Sequence, residues 1–179
     1  MVRILVKSSK EQINIDERKI LAELQKNSNE SVDTIAKHCG FSRQKVWRTI
    51  KQLEKSHMIW GYTAIIDDGK LGQKHFILLM KRKQKRFGEK IVDTLLSRSF
   101  ESAVSKMGII IETSSYIHGE YDWITTFTAS DIKQAKQFCN SIDIAYPDFF
   151  DRIVLIETLF DIRKQHILNP NVNKLRELL

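Results

Sequence analysis

The chain has 179 residues, with 29 Lys/Arg against 22 Asp/Glu and a net charge of +7. That length holds one or two small domains, each with its own core. No apolar run reaches the ~20 residues that span a bilayer, and the opening MVRILVKSSK lacks the apolar centre of a signal peptide, so the expected location is the cytoplasm and no membrane partner is expected. The two cysteines, Cys39 and Cys139, stand a hundred residues apart. They have no metal-ligand spacing and read as small core residues in a reducing compartment.

In chain order, residues 16–26 (DERKILAELQK) place Asp16 at a cap position and put Ile20, Leu21 and Leu24 on one helical face. NSNES interrupts that pattern. Ser31 or Asp33 can start a second helix through about Lys37, with Val32, Ile35 and Ala36 inward and Gly40 as its left-handed stop. Phe41 follows, then Ser42, whose hydroxyl can cap a third helix. Helix, glycine turn and capped helix make the helix-turn-helix pattern. The segment HMIWGYTAIID is rich in β-branched and aromatic residues and reads as a strand or short hairpin, which makes a winged variant. DDGKLGQK, with two glycines, reads as a linker.

The second half alternates between periods. Strands are expected at 75–83, 109–118, 121–129 and 150–163, and helices at 88–98 and 131–142, the latter capped by Ser130 or Asp131. That order is βαββαβ, a ferredoxin-like unit. A sheet with helices on one face should alternate if its other face meets water. FILLM and RIVLI are continuously apolar instead. Both faces of this sheet are therefore expected to be covered, the bare one by a second copy of the chain. Residues 171–179 can form a short helix after Pro170.

The positive charge is focused. Residues 42–56 hold five Lys/Arg against one acid, while the rest of the first 67 residues balance to neutrality. A helix buried along Val46, Ile50 and Leu53 and cationic elsewhere suits a polyanion. In a helix-turn-helix the second helix of the motif enters the major groove, N-terminal residues first. Arg43 and Gln44 are placed to meet base edges, Arg pairing with guanine and Gln with adenine. Arg48 lies one turn on, and Lys45 and Lys51 suit phosphates. Trp47 flanks the buried stripe, so it either wedges between helices or lies in the groove. The run KRKQKR (81–86) reads as a solvated strand end or a supplementary DNA surface. The five histidines are scattered, and no pair has metal spacing on one helix. No Ser-His-Asp order, paired-carboxylate site or phosphate loop emerges, so no catalytic residue, metal ligand or cofactor is expected.

Residues 15–67, with their opening Ile-Asp, the Gly-Phe-Ser turn, the Val–Ile–Leu stripe and the I-x-G-Y-x-A-x-I strand, resemble the DNA-binding domain of the Lrp/AsnC (feast/famine) transcription regulators. HGEYDWI in the second half resembles the Gly-x-Tyr/Phe-Asp turn of that family's amino-acid-sensing domain. The resemblance covers residues 15–163. It implies an α+β chain: an N-terminal winged helix-turn-helix joined to a C-terminal βαββαβ ferredoxin-like domain of the amino-acid-sensing type. The expected layout is an extension at 1–15, the DNA-binding domain at 16–67, a linker at 68–74, a ligand-sensing and oligomerisation domain at 75–163 and a tail at 164–179. The implied partners are double-stranded DNA, contacted by Ser42, Arg43, Gln44, Lys45, Trp47, Arg48 and Lys51, and other copies of the chain in a dimer or larger homo-oligomer. The resemblance also implies a free amino acid effector at Gly119, Tyr121 and Asp122. The bland alternative for HGEYD is a hairpin turn, with Gly at positive φ and Asp accepting backbone hydrogen bonds. Two rival functions remain: a sirohaem-decarboxylase-like enzyme of the same architecture, and a weakly specific chromatin-architectural protein.

Overall fold

The computed structural model describes residues 14–83, 93 and 104–179. The chain divides into two compact units, one ending at Ile65 and joined by Ile162–Leu178, the other spanning Ile66–Asp161.

The first unit opens with α1 (Ile15–Lys26), α2 (Val32–Cys39) and α3 (Arg43–Lys55). Asn14, not Asp16, caps α1. Its side chain accepts from the Glu17 N–H at 2.8 Å, and the Glu17 carboxylate accepts from the Asn14 N–H at 2.9 Å. This reciprocal capping box satisfies two orphan donors and leaves Asp16 in the first turn, beside the positive end of the helix dipole. Ser31 caps α2 and Ser42 caps α3 through the N–H groups of Thr34 and Lys45. Gly40 takes φ 70° and ψ 35°, and the Phe41 N–H bonds the Ala36 carbonyl, so the chain reverses within two residues. An L side chain is disfavoured at that φ by about 1–2 kcal/mol. Gly40→Ala is therefore expected to lower the melting temperature without shifting any other contact, since a Cβ there would meet nothing within 4 Å. Ile20, Ile35, Ala36, Val46 and Ile50 close the core between the helices.

The expected strand or hairpin after α3 has no paired strand among the described residues. Met58 and Ile59 still bond back to the Leu53 carbonyl, but no strand is assigned over residues 57–66. Trp60 is 95% exposed. The segment has strand composition without a partner strand among the described residues.

The second unit begins with a single 3-10 turn, Asp68–Leu71, closed by Gly72 at φ 68°. Its sheet comprises β1 (Lys74–Arg82), β2 (Ile110–Tyr116), β3 (Trp123–Ala129) and β4 (Phe150–Glu157), all antiparallel in the order β2-β3-β1-β4. That is the ferredoxin-like order. The helix expected at 88–98 lies outside the described residues, except Asp93, which is helical. α4 (Ile132–Ala145) is capped by Asp131, which accepts from the Gln134 N–H at 2.8 Å.

The last strand is shorter than the expected 150–163. β4 ends at Glu157 because its neighbour β1 starts at Lys74. The Thr158 N–H makes the closing bond, to the His75 carbonyl at 2.9 Å. Arg163–Lys164 (β5) then pairs with Ile167–Leu168 (β6) in a separate hairpin, and Val172–Glu177 forms a 3-10 turn.

Alternation along β1 separates the two sheet faces. Phe76, Leu78 and Met80 are buried with Phe127, Phe138 and Ile142 in the core under α4. Ile77 and Leu79 point the other way, and the register sets Leu79 opposite Ile124 and Val154, and Ile77 opposite Ile156. This second face is apolar and only partly covered by its own chain. At its end, His75 Nε2 lies 3.1 Å from Glu112 Oε2 and His75 Nδ1 lies 2.7 Å from Thr158 Oγ1. The break in register between Ile111 and Thr113 leaves Glu112 as the extra residue of a bulge, which aims it across β3.

Candidate nucleic-acid interface and effector turn

α3 buries Val46, Ile50 and Leu53, half-buries Thr49 and Glu54, and exposes the rest. Gln44, Arg48, Lys51 and Lys55 recur at intervals of three to four residues along the solvent side, where helical periodicity places them on one face. Trp47 is 53% exposed, which resolves its two readings: it stands on the outer surface and does not wedge between helices.

Ion pairs sort the cations. Lys45 Nζ lies 2.6 Å from Asp16 Oδ2 and 4.1 Å from the Phe41 ring centroid, so this ammonium braces α3 against α1 and the turn. Arg43 Nη1 sits 3.6 Å from Asp33, a loose exposed contact that leaves its fork available. Lys51 Nζ hydrogen-bonds Glu54 at 2.7 Å. That bond is the main cause holding the Glu54 carboxyl below its ordinary range, against burial and with help from the Tyr62 hydroxyl. Arg48 has no carboxylate partner among the described residues. Lys55, which the sequence reading did not include among the contacts, has none either, and it shares the Arg48 side of the helix. Its signal was visible in the sequence, four residues on from Lys51. Ser42 caps the helix, presenting the first-turn N–H groups of α3 beside Arg43 and Gln44.

Of the run 81–86, the three described cations are engaged within the second unit. Lys81 donates to the Glu120 carbonyl, Arg82 pairs with Asp122 and Lys83 with Asp148.

The turn at 117–122 is held from both sides. The Ile117 N–H bonds the Asp122 carbonyl at 2.8 Å, and the Asp122 N–H bonds the Met80 carbonyl at 3.0 Å. Asp122 Oδ2 accepts from the Arg82 backbone N–H and Oδ1 from Arg82 Nε, both at 3.0 Å. The Tyr121 ring lies under Arg152, 5.9 Å from the guanidinium carbon, and Arg152 reaches Glu120 at 3.8 Å. Gly119 does not take a positive φ, contrary to the hairpin reading, and a Cβ there would meet nothing within 4 Å. The fold of the single chain thus requires Asp122 but does not require glycine at 119. Sequence reasoning missed Arg82 as the partner of Asp122, because nothing local links residues forty positions apart.

Burial pushes the Cys139 thiol up to about 11 and also raises Cys39, as packed thiols would be. Among the described residues no group of three or more His, Cys, Asp or Glu side chains is arranged to hold a metal, and no helix is long and apolar enough to cross a membrane.

Residues 17–59 match the family model described as winged helix-turn-helix DNA-binding. The chain is 23% identical over 135 residues to the DNA-binding transcriptional activator DecR of Escherichia coli, covering 75% of this chain and 84% of that one. In structure it is similar to an AsnC family transcriptional regulator from Agrobacterium tumefaciens (TM-score 0.64, 21% identity, 89% and 98% of the two chains covered). It is also similar to LrpC of Bacillus subtilis (TM-score 0.60, 20% identity, 85% and 98% covered). A transcriptional regulator of Neisseria meningitidis, solved as a complex with L-Met, matches with TM-score 0.63 and 17% identity over 94% of this chain and 100% of that one. The fold is a helix-turn-helix unit, matched by a winged helix-turn-helix DNA-binding model over residues 17–59, followed by a ferredoxin-like sheet unit. The resemblance to the Lrp/AsnC regulators holds in the fold of both units.

Proposed function

We propose that the protein is an oligomeric, sequence-specific DNA-binding transcription regulator, not an enzyme, whose second domain assembles the oligomer and binds a free amino acid. The observation that carries this reading is the exposed face of α3, where Gln44, Trp47, Arg48, Lys51 and Lys55 stand clear of the core on a helix fixed by a serine cap and a glycine turn. An enzyme of the same architecture has no need of such a face, and a porphyrin-binding form would betray itself by a Soret band. The apolar outer face of the sheet supports self-association. The complex of the Neisseria regulator with L-Met, together with a glycine at 119 that its own chain leaves unexplained, supports an amino acid effector.

The test is recovery of genomic fragments on the immobilised protein, followed by titration of those fragments at several salt concentrations. Arg43→Ala or Gln44→Ala is expected to relax preference at one base pair by about 1–3 kcal/mol. Lys51→Ala is expected to weaken all sequences alike and to lower the salt slope by about 1. Equal behaviour of the two kinds of variant would refute the division of roles. Binding with no preference among fragments would favour the architectural protein.

A further inference from the structure

The chain does not end with the sheet domain. After Asp161 it joins the unit that contains the winged helix-turn-helix, and stays there through Leu178. This returning segment carries four Lys/Arg against one Glu. Its 3-10 turn repeats every three residues, so positions three apart stack on one edge. Val172 and Leu175 form such an edge and are half-buried, while Lys174 and Arg176 are exposed. The turn thus has an apolar edge and presents Lys174 and Arg176 to solvent.

The hairpin before it has the same bias. Arg163, Gln165 and His166 are exposed at its tip. Gln165 sits at φ 51°, a left-handed conformation that non-glycine residues adopt at a cost and that concentrates at functional sites. One guanidinium nitrogen of Arg163 donates to the His166 carbonyl at 2.9 Å, which holds the side chain at the tip and commits one of its several N–H groups. Among the described residues, Arg163, Lys174 and Arg176 have no carboxylate partner. In the sheet unit, Lys74, Arg82, Lys83 and Arg152 are each paired with an acid, whereas Lys70, Lys133 and Lys136 have no carboxylate partner among the described residues.

We propose that Ile162–Leu178 is a second DNA-contacting element on the unit that carries α3, in which Arg163, Lys174 and Arg176 engage the sugar–phosphate backbone. This rests on the DNA-binding reading above. A polyanion held by α3 is already at high effective concentration for cations on the same unit, so even weak phosphate contacts there are realised. Contacts to the backbone carry no sequence information, so the element adds affinity and salt dependence and leaves base preference unchanged.

The experiment uses the full chain and a labelled 30-base-pair duplex of random sequence, followed by anisotropy over a range of potassium chloride. Four variants are compared with the parent. One carries Arg48→Gln and Lys55→Gln on α3. The tail variant carries Arg163→Gln, Lys174→Gln and Arg176→Gln. A smaller one carries only Lys174→Gln and Arg176→Gln, which keeps the Arg163–His166 bond. A charge-matched control carries Lys70→Gln, Lys133→Gln and Lys136→Gln in the sheet unit. Each phosphate contact contributes about 0.9 to the slope of log K against log salt. The tail variant is expected to flatten that slope by about 2–3 and the smaller one by about 2, with the control unchanged. If α3 variants flatten the slope and tail variants do not, the DNA reading stands and this proposal falls. An equal effect of the control reduces the tail to bulk charge and overturns the proposal. A parent that binds no duplex removes both readings together.

Discussion

Leu79→Lys is expected to break the proposed oligomer into a well-folded monomer, while Leu78→Lys abolishes the fold of the sheet domain. The two residues are adjacent in sequence and opposite in orientation. Leu78 is fully buried between the sheet and α4. Lysine there would lose the leucine's packing and place an ammonium with no carboxylate in an apolar core, together costing about 5–10 kcal/mol, comparable to the ~5–15 kcal/mol stability of an ordinary domain. Leu79 stands on the other face, opposite Ile124 and Val154. In a single chain its ammonium reaches water, so the domain should keep its cooperative melt. In a symmetric interface the substitution occurs twice. An unpaired charge buried at each occurrence costs about 3–5 kcal/mol, so the two together weaken the dissociation constant by roughly four to seven orders of magnitude. Sedimentation of both variants at micromolar concentration, with circular dichroism, separates the outcomes. A Leu79→Lys protein that sediments like the parent would show that another surface assembles the oligomer.

That face shows what the sequence carried and what it did not. FILLM told that both sides of β1 are apolar, but a continuous run has no phase, so the inward residue could not be chosen. The partner strands choose it, through the pairing of Phe76 with Phe127 and of Leu78 with Leu155. The first unit was legible almost to the residue because its signals are local: Ser31, Gly40 and Ser42 act within four positions of themselves. Asp16 was misread as a cap because Asn14 and Glu17 form the same kind of signal two residues earlier. The segment 57–66 has strand composition, yet composition cannot supply a partner strand. The over-long last strand failed for a related reason, since the limit of β4 is set by where β1 begins. Lys45 and Asp122 were read as binding groups, and their partners Asp16 and Arg82 lie too far away in sequence for any spacing rule to find.

The engagement of Asp122 by Arg82 shapes the last expected result. Its carboxylate is 22% exposed and accepts twice from one residue. Asp122→Ala would strand a backbone N–H and a guanidinium, at a cost of about 1–3 kcal/mol. For a domain of ~100 residues this lowers the melting temperature by about 4 °C or more, with no ligand present. Loss of an amino acid response in that variant would therefore be ambiguous between site and scaffold. Gly119 removes the ambiguity. A Cβ at 119 meets nothing within 4 Å and the backbone there is not left-handed, so Gly119→Ala should melt with the parent. A ligand seated against the turn would meet that methyl group directly. In a thermal-shift screen of the standard amino acids at millimolar concentration, at least one is expected to stabilise the parent by RT ln(1 + [L]/Kd) and to do nothing for Gly119→Ala. The same amino acid must then change the DNA affinity of the parent and leave that of Gly119→Ala untouched, because sensing is a coupling between two sites. If no amino acid shifts the parent, or if Gly119→Ala responds as the parent does, the turn is a braced corner of the sheet and the effector lies elsewhere or does not exist.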